Sequence, residues 1–357
     1  MNRILSDSLD VSSFKQRYEM VAEVGSGSFS SVWKTRNKET GTVMATKIIN
    51  KRCEAARFMI QNEYTALRIL KHPNIVQLYS TYEDDQNVYM VLEYVAGVNV
   101  TERLEKQGRF RRVDACKVFR GVLSAVEYMH ELGFAHRDLK GDNIMLDSRG
   151  NAKLIDFGFC GRVSFVKGEK AEIVGSKAFK APELLVEGGE ESVGDRRKAD
   201  VWSLGCVLYE MLLRRHPFVE GRLMVDLVLN AEFVLPTYLT PSAREMLSAL
   251  LMLNPEERLT CTQAFSHRWV LINTKTLEER EAKEKLKEAK TTEERPEEAC
   301  NADTTGLERN TEPSNEEEPV KVEHQVETTV VSPVEQLKIG KKKGVFSRLR
   351  AFFKKSS

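Results

Sequence analysis

The segment VGSGSFSSV, made of Val24, Gly25, Ser26, Gly27, Ser28, Phe29, Ser30, Ser31 and Val32, lies between two strand-like runs. Glycines there allow a hairpin whose backbone can approach a bulky anion, although a plain flexible turn accounts for the same letters. Fifteen residues on, Lys47 stands among apolar neighbours in VMATKII, and Glu63 follows after sixteen more. An ion pair between them would hold the ammonium where it grips phosphate oxygens; the plain alternative is a solvated strand lysine. The sharper pattern is HRDLKGDN, His136 to Asn143, with LIDFG placing Asp156 thirteen residues after Asn143.

These residues need elements to position them. From Tyr18 to about Ile49 short apolar runs alternate with turns, which predicts strands joined by hairpins in an antiparallel sheet. EAARFMIQNEYTALRIL, 54 to 70, has helical spacing and stops at His72 and Pro73, and NIVQLYSTYE and NVYMVLEYV add two strands. From Val113 to about Leu271 most segments read as helical. A small sheet-rich lobe with one main helix therefore precedes a larger, mostly helical lobe, an α+β architecture.

The strings GSGSFSSV, ATK, HRDLKGDN, LIDFG, APE (181 to 183) and DVWSLG (200 to 205) occur in order and at appropriate spacing, so residues 18 to 270 resemble the eukaryotic protein kinase family. DFGFCGRV and the ending HRW are similar to the cAMP-dependent and calmodulin-dependent branches. The resemblance implies the two-lobed kinase fold, ATP and Mg2+, and protein substrates. It makes Asp138 the residue that accepts or orients the substrate hydroxyl proton, Lys140 the one that steadies the transferring phosphoryl group, and Asn143 with Asp156 the magnesium ligands. Lys47, held by Glu63, would contact the α and β phosphates. Adenine would lie between Val32 and Ala45 above and Met145 below, its edge read by backbone groups of Glu93 and Val95, with Leu92 limiting the back pocket. Lys140 and Ser176 favour serine and threonine acceptors. Asn99 replaces an acid that often reads a substrate arginine, which leaves Asp142 as the remaining acid for a basic peptide. Glu183 is expected to pair with Arg258, and Asp200 and Trp202 to anchor the helix they begin. Cys160 reads as a packed, inert thiol rather than an accessible one. Ser30, Lys177 and Phe179 depart from the family's usual letters. A catalytically weak, kinase-like scaffold is the competing reading.

Outside 18 to 270 the composition changes. The 357 residues carry a net charge of +1, with 41% apolar and 30% charged residues, which predicts a globular protein with no wholesale attraction to nucleic acid. That average conceals 18 acids against 9 bases in 271 to 337 and 8 bases with no acid in 338 to 357. Residues 1 to 17 read as an N-terminal extension, 271 to 337 as an acidic, disordered linker within which 275 to 290 can form an exposed helix, and 338 to 357 as a basic amphipathic tail. In that tail Val345, Leu349, Phe352 and Phe353 share one helical face, which suits an anionic membrane surface, a calmodulin-like helix receptor, a nuclear-import signal or a fold-back onto the acidic linker. Six cysteines without CxxC spacing point to a reducing compartment. MNRILSDSLD has no apolar signal core, Asn2 excludes N-myristoylation, and the run Val201 to Leu213 is too short to span a bilayer. The expectation is a cytoplasmic monomer, peripheral at a membrane through its tail.

Counting back nine positions from Ala181 reaches Glu172, where many kinases of this type carry an activating phosphothreonine that neutralises the arginine beside the catalytic aspartate, here Arg137. A carboxylate offers one charge against about two for phosphate, so Glu172 is expected to act as a permanent partial substitute, with Ser176 as a substrate-loop contact.

Overall fold

The computed structural model describes residues 4–27, 29–163, 176–185, 195–218, 224–293 and 328–331. Glu172, Ser28, the tail 338 to 357 and most of the acidic linker lie outside the described residues.

The smaller lobe contains β1 (Leu9–Asp10), α1 (Val11–Arg17), β2 (Tyr18–Ser26), β3 (Ser30–Asn37), β4 (Val43–Asn50), α2 (Glu54–Ile69), β5 (Leu78–Glu83) and β6 (Asn87–Glu93). Its six strands run in the order β1-β5-β6-β4-β3-β2. The sheet is mixed: β1 pairs with β5 in parallel, with Leu9 opposite Tyr82, whereas the remaining pairs are antiparallel. The turn between β3 and β4 is built by Asn37, whose side-chain oxygen accepts from the Glu39 and Thr40 amides, and by Gly41 at φ +71°.

Residues before Tyr18 are tied into this lobe. Glu83, 1% exposed, accepts from the Ile4 amide (2.7 Å), the Leu5 amide (3.3 Å), the Ser8 hydroxyl (2.8 Å) and the Lys51 ammonium (2.8 Å). Burial alone would raise its carboxyl pKa, but the hydrogen bonds from Lys51, Ile4 and Ser8 outweigh that and lower it. Leu5 is buried with Ile49, Ile60, Tyr64 and Leu67, and Phe14 stacks on Tyr18 with ring centroids 5.3 Å apart. Residues 4 to 17 thus complete the sheet edge and back α2.

The larger lobe follows with β7 (Gly97–Asn99), α3 (Val100–Gln107), α4 (Arg112–Glu131), β8 (Phe134–Ala135), β9 (Ile144–Asp147), β10 (Ala152–Leu154), β11 (Gly161–Arg162), α5 (Arg196–Leu213), α6 (Met224–Leu229), β12 (Phe233–Pro236), α7 (Pro241–Leu250), α8 (Cys261–Phe265), α9 (Arg268–Glu293) and β13 (Thr328–Val331). Fourteen residues of α5 are buried, including Trp202, Tyr209 and Asp200, so this helix is the axis of the lobe. The crossing between lobes is tight: a Cβ at Gly97 would meet the Leu146 carbonyl oxygen at 1.7 Å, so only glycine lets β7 lie on β9.

Two segments of the acidic stretch are ordered against the fold. α9 runs on to Glu293 and docks on α4 through Trp269, Asn273 and Leu277, with Arg280 and Asp114 paired at 2.6 Å. β13 pairs antiparallel with β12, Thr328 opposite Pro236 and Val331 opposite Phe233. No helix among the described residues is long and apolar enough to cross a membrane.

Candidate active site

Lys47 sits mid-strand on β4, opposite Val32 of β3 and Met90 of β6, so the sheet fixes its direction. Its ammonium lies 2.6 Å from Glu63 of α2 and 3.0 Å from Asp156. Burial opposes the charge on Lys47, but the fields of the Glu63 and Asp156 carboxylates outweigh it and raise its pKa. Asp156 is likewise pushed up by burial and pulled down further by Lys47, with a net lowering, so it stands ionised. One lysine therefore ties the sheet, α2 and the segment after β10 into a single charged cluster.

The second cluster is built on a strained turn. Arg137 (φ 66°) and Asp156 (φ 60°) both adopt left-handed backbone without being glycine, a cost of about 1–3 kcal/mol each. Asp200 of α5, 2% exposed, compensates at the first position: it accepts from the His136 and Arg137 amides at 2.9 Å each and from His130 at 2.9 Å. Burial raises the Asp200 pKa while the His130 hydrogen bond and charge outweigh it, leaving a net lowering. The turn presents Asp138, 5% exposed, to the cleft. Its carboxylate accepts from the Asn143 amide (3.0 Å), the Ser176 backbone N–H (2.8 Å) and Lys140 (3.1 Å). Lys140 also donates to the Ser176 hydroxyl at 2.8 Å. Ser176 is thus drawn onto the Asp138 carboxylate itself, a contact that sequence spacing across 38 residues does not reveal.

Val32, Ala45 and Met145 are half-buried; Ala45 pairs opposite Leu92, and Met145 opposite Asn99. Val24 and Phe29 are exposed, and Gly27 donates to the Ser30 carbonyl at 2.7 Å, closing the turn between β2 and β3. A Cβ at Gly25 or Gly27 would find its nearest neighbours no closer than 3.6 Å, so the fold itself does not fill the space beside this loop. Glu93 ends β6 with its side chain paired to Lys153 at 2.7 Å, and Val95 lies between β6 and β7, outside both ladders.

Beyond the cleft, Glu183 and Arg258 form a bidentate pair at 2.8 and 2.9 Å, with the arginine side chain fully buried and stacked over Trp202. Cys160 is 1% exposed, and burial drives its thiol pKa well up, so it is inert. Two residues near Asp138 gain weight only in three dimensions. Glu210, on the last turn of α5, has its pKa raised to about 8 by burial and by the nearby Asp142 carboxylate. Lys180 is 7% exposed.

The family model described as protein kinase domain matches residues 18–270. The chain belongs to the protein kinase family. Among curated relatives, this kinase is 34% identical over 260 residues to CBL-interacting protein kinase 33 of Oryza sativa subsp. japonica, covering 71% of this chain and 56% of the relative. It is equally 34% identical over 260 residues to CBL-interacting serine/threonine-protein kinase 3 of Arabidopsis thaliana (71% and 58%), and 35% identical over 262 residues to maternal embryonic leucine zipper kinase of Danio rerio (72% and 38%). The kinase spans little more than half the length of the first two and less of the third.

Proposed function

We propose that this kinase transfers the γ-phosphoryl group of ATP to serine and threonine hydroxyls of proteins. The observation that carries the reading is the juxtaposition of Asp138, held by three donors, with the Lys47–Glu63–Asp156 cluster across one cleft. Such a transfer needs alignment and charge cancellation more than covalent help from protein. Lys47 grips phosphate oxygens, Asp138 takes or orients the acceptor proton, and Lys140, between Asp138 and Ser176, stands where charge builds on the moving group. Lys140 and the serine/threonine name of a relative support the acceptor class.

Protein kinases use magnesium with ATP, and the residues here fit it. Asn143 spends its amide N–H on the Asp138 carbonyl and carboxylate, leaving its side-chain oxygen available, and Asp156 is 37% exposed toward the cleft with only Oδ1 engaged by Lys47. No cluster of three or more His, Cys, Asp or Glu able to hold a metal occurs among the described residues, which suits a cation completed by phosphates and water. Bound there, magnesium neutralises phosphate charge.

The direct test compares wild type with Asp138→Asn using magnesium ATP and a peptide library. A loss of about 10^2–10^4 in turnover is expected; equal labelling by both proteins would remove the assignment and favour the scaffold reading. The tail 338 to 357, with eight bases and an apolar face, supports docking on anionic lipid. Vesicle sedimentation checks it, and equal pelleting with neutral and anionic lipid would count against it.

A further inference from the structure

The Ser176–Leu185 segment is clamped at several points beside Asp138. Ser176 is held by Asp138 and Lys140, the Phe179 carbonyl accepts from Ser203 at 2.8 Å, the Phe179 ring meets His216 edge-on at 5.0 Å, and Glu183 is locked to Arg258. Within this fixed segment Lys180 follows a tight turn, Lys177–Phe179, with extended backbone (φ −72°, ψ 138°). The residue is 7% exposed, yet among the described residues its ammonium has neither an ion pair nor a hydrogen bond. A long cationic side chain buried without a partner is costly, and proteins normally pair it or place it where a ligand will. Burial and the positive charge of Lys177 lower its pKa, while the charge of Asp138 acts in the opposite sense, so the ammonium senses the catalytic carboxylate. Lys177 is exposed at the rim of the same turn.

A protein substrate must bring its hydroxyl within hydrogen-bond reach of Asp138, whose Oδ1 already accepts from Ser176. The residues flanking that hydroxyl then pass along the turn that begins at Ser176, each extended residue advancing about 3.3 Å. We propose that Lys180, with Lys177 at the rim, forms an anion subsite that takes a carboxylate or phosphate carried by the substrate within two residues of the phosphoacceptor. This rests on the phosphotransferase reading and adds a substrate class to it: acidic or previously phosphorylated peptides. Asp142, exposed four residues beyond Asp138, carries the opposite charge, so the preferred substrate is dipolar, basic on one side of the acceptor and acidic on the other.

The test uses the full chain with magnesium ATP and a peptide series in which Ala, Lys, Asp or phosphoserine is walked through the two positions on each side of one acceptor serine. Aspartate at one of these positions should raise kcat/KM about tenfold over alanine, and lysine there should lower it. The phosphoserine arm tells a carboxylate site from a phosphate site. The acid preference should vanish in Lys180→Met, reverse toward lysine in Lys180→Glu, and return in Lys180→Arg, with the KM for ATP unmoved in all three. Binding of the same peptides by fluorescence anisotropy reads the ratio without turnover. An inactive protein that binds the acidic peptide tighter would sink the phosphotransferase reading and keep the subsite. A wild-type kinase indifferent to acid at all four positions, or an acid preference that survives in Lys180→Met, would overturn the proposal; the wild-type series stands even if a variant fails to fold.

Discussion

The two sides of the cleft handle charge differently. On the phosphate side, Lys47 is paired with both Glu63 and Asp156 before any ligand arrives, at 2.6 and 3.0 Å. On the peptide side, Lys180 is carried into the fold without an ion pair among the described residues. The first arrangement suits the phosphate-gripping role proposed for Lys47. The second holds unpaired charge in reserve for a partner that differs from one encounter to the next, which is how discrimination is built when a mismatched partner leaves a buried group unsatisfied.

The contrast can be broken by mutation. The largest effect is catalytic: Asp138→Asn should cost about 10^3 in kcat while ATP affinity, read by nucleotide titration, stays within a factor of about two. Next is stability on the paired side. Lys47→Met leaves the Glu63 and Asp156 carboxylates facing each other without their cation, and chemical denaturation should show a loss of about 3 kcal/mol. If the protein were indifferent to this change, the cluster would not be a paired unit. A smaller effect comes from pH. Glu210 is protonated below about 8 and gains its charge above it. The kcat/KM for a peptide with an arginine near the acceptor should therefore rise between pH 7 and 9, by up to about tenfold from the change in ionised fraction, and the rise should be absent in Glu210→Gln. The smallest effect sharpens the comparison most: Lys180→Met removes an unpaired cation and should leave stability unchanged or raised by about 1 kcal/mol, opposite in sign to Lys47→Met.

How much of this was readable beforehand depended on distance along the chain. HRDLKGDN and LIDFG carry Asp138, Asn143 and Asp156 in local strings, because a strained turn and a short β9–β10 hairpin dictate them. The sheet-rich lobe followed from alternation in β2 to β4, yet its mixed edge did not, because β1 finds β5 some seventy residues away. α9 looked too polar to dock since it buries about one residue per turn, Trp269, Asn273 and Leu277, while Leu271 and Ile272 face solvent. Lys180 is invisible for the opposite reason: lysines are usually exposed, and only the folded chain covers this one. Letters report the face a residue prefers, and at these positions distant contacts override the preference.

The Glu83 clamp has a temporal side. Ile4 leaves the ribosome before its acceptor carboxylate, which lies 79 residues downstream. At about 5–20 residues per second, the Ile4 segment of a growing chain waits roughly 4–16 s before it can be captured. During that interval Leu5 and Phe14 are exposed apolar side chains on a nascent polypeptide, natural handholds for a chaperone. Closing the clamp then withdraws these side chains from such a handhold and fixes the segment to the edge of the sheet.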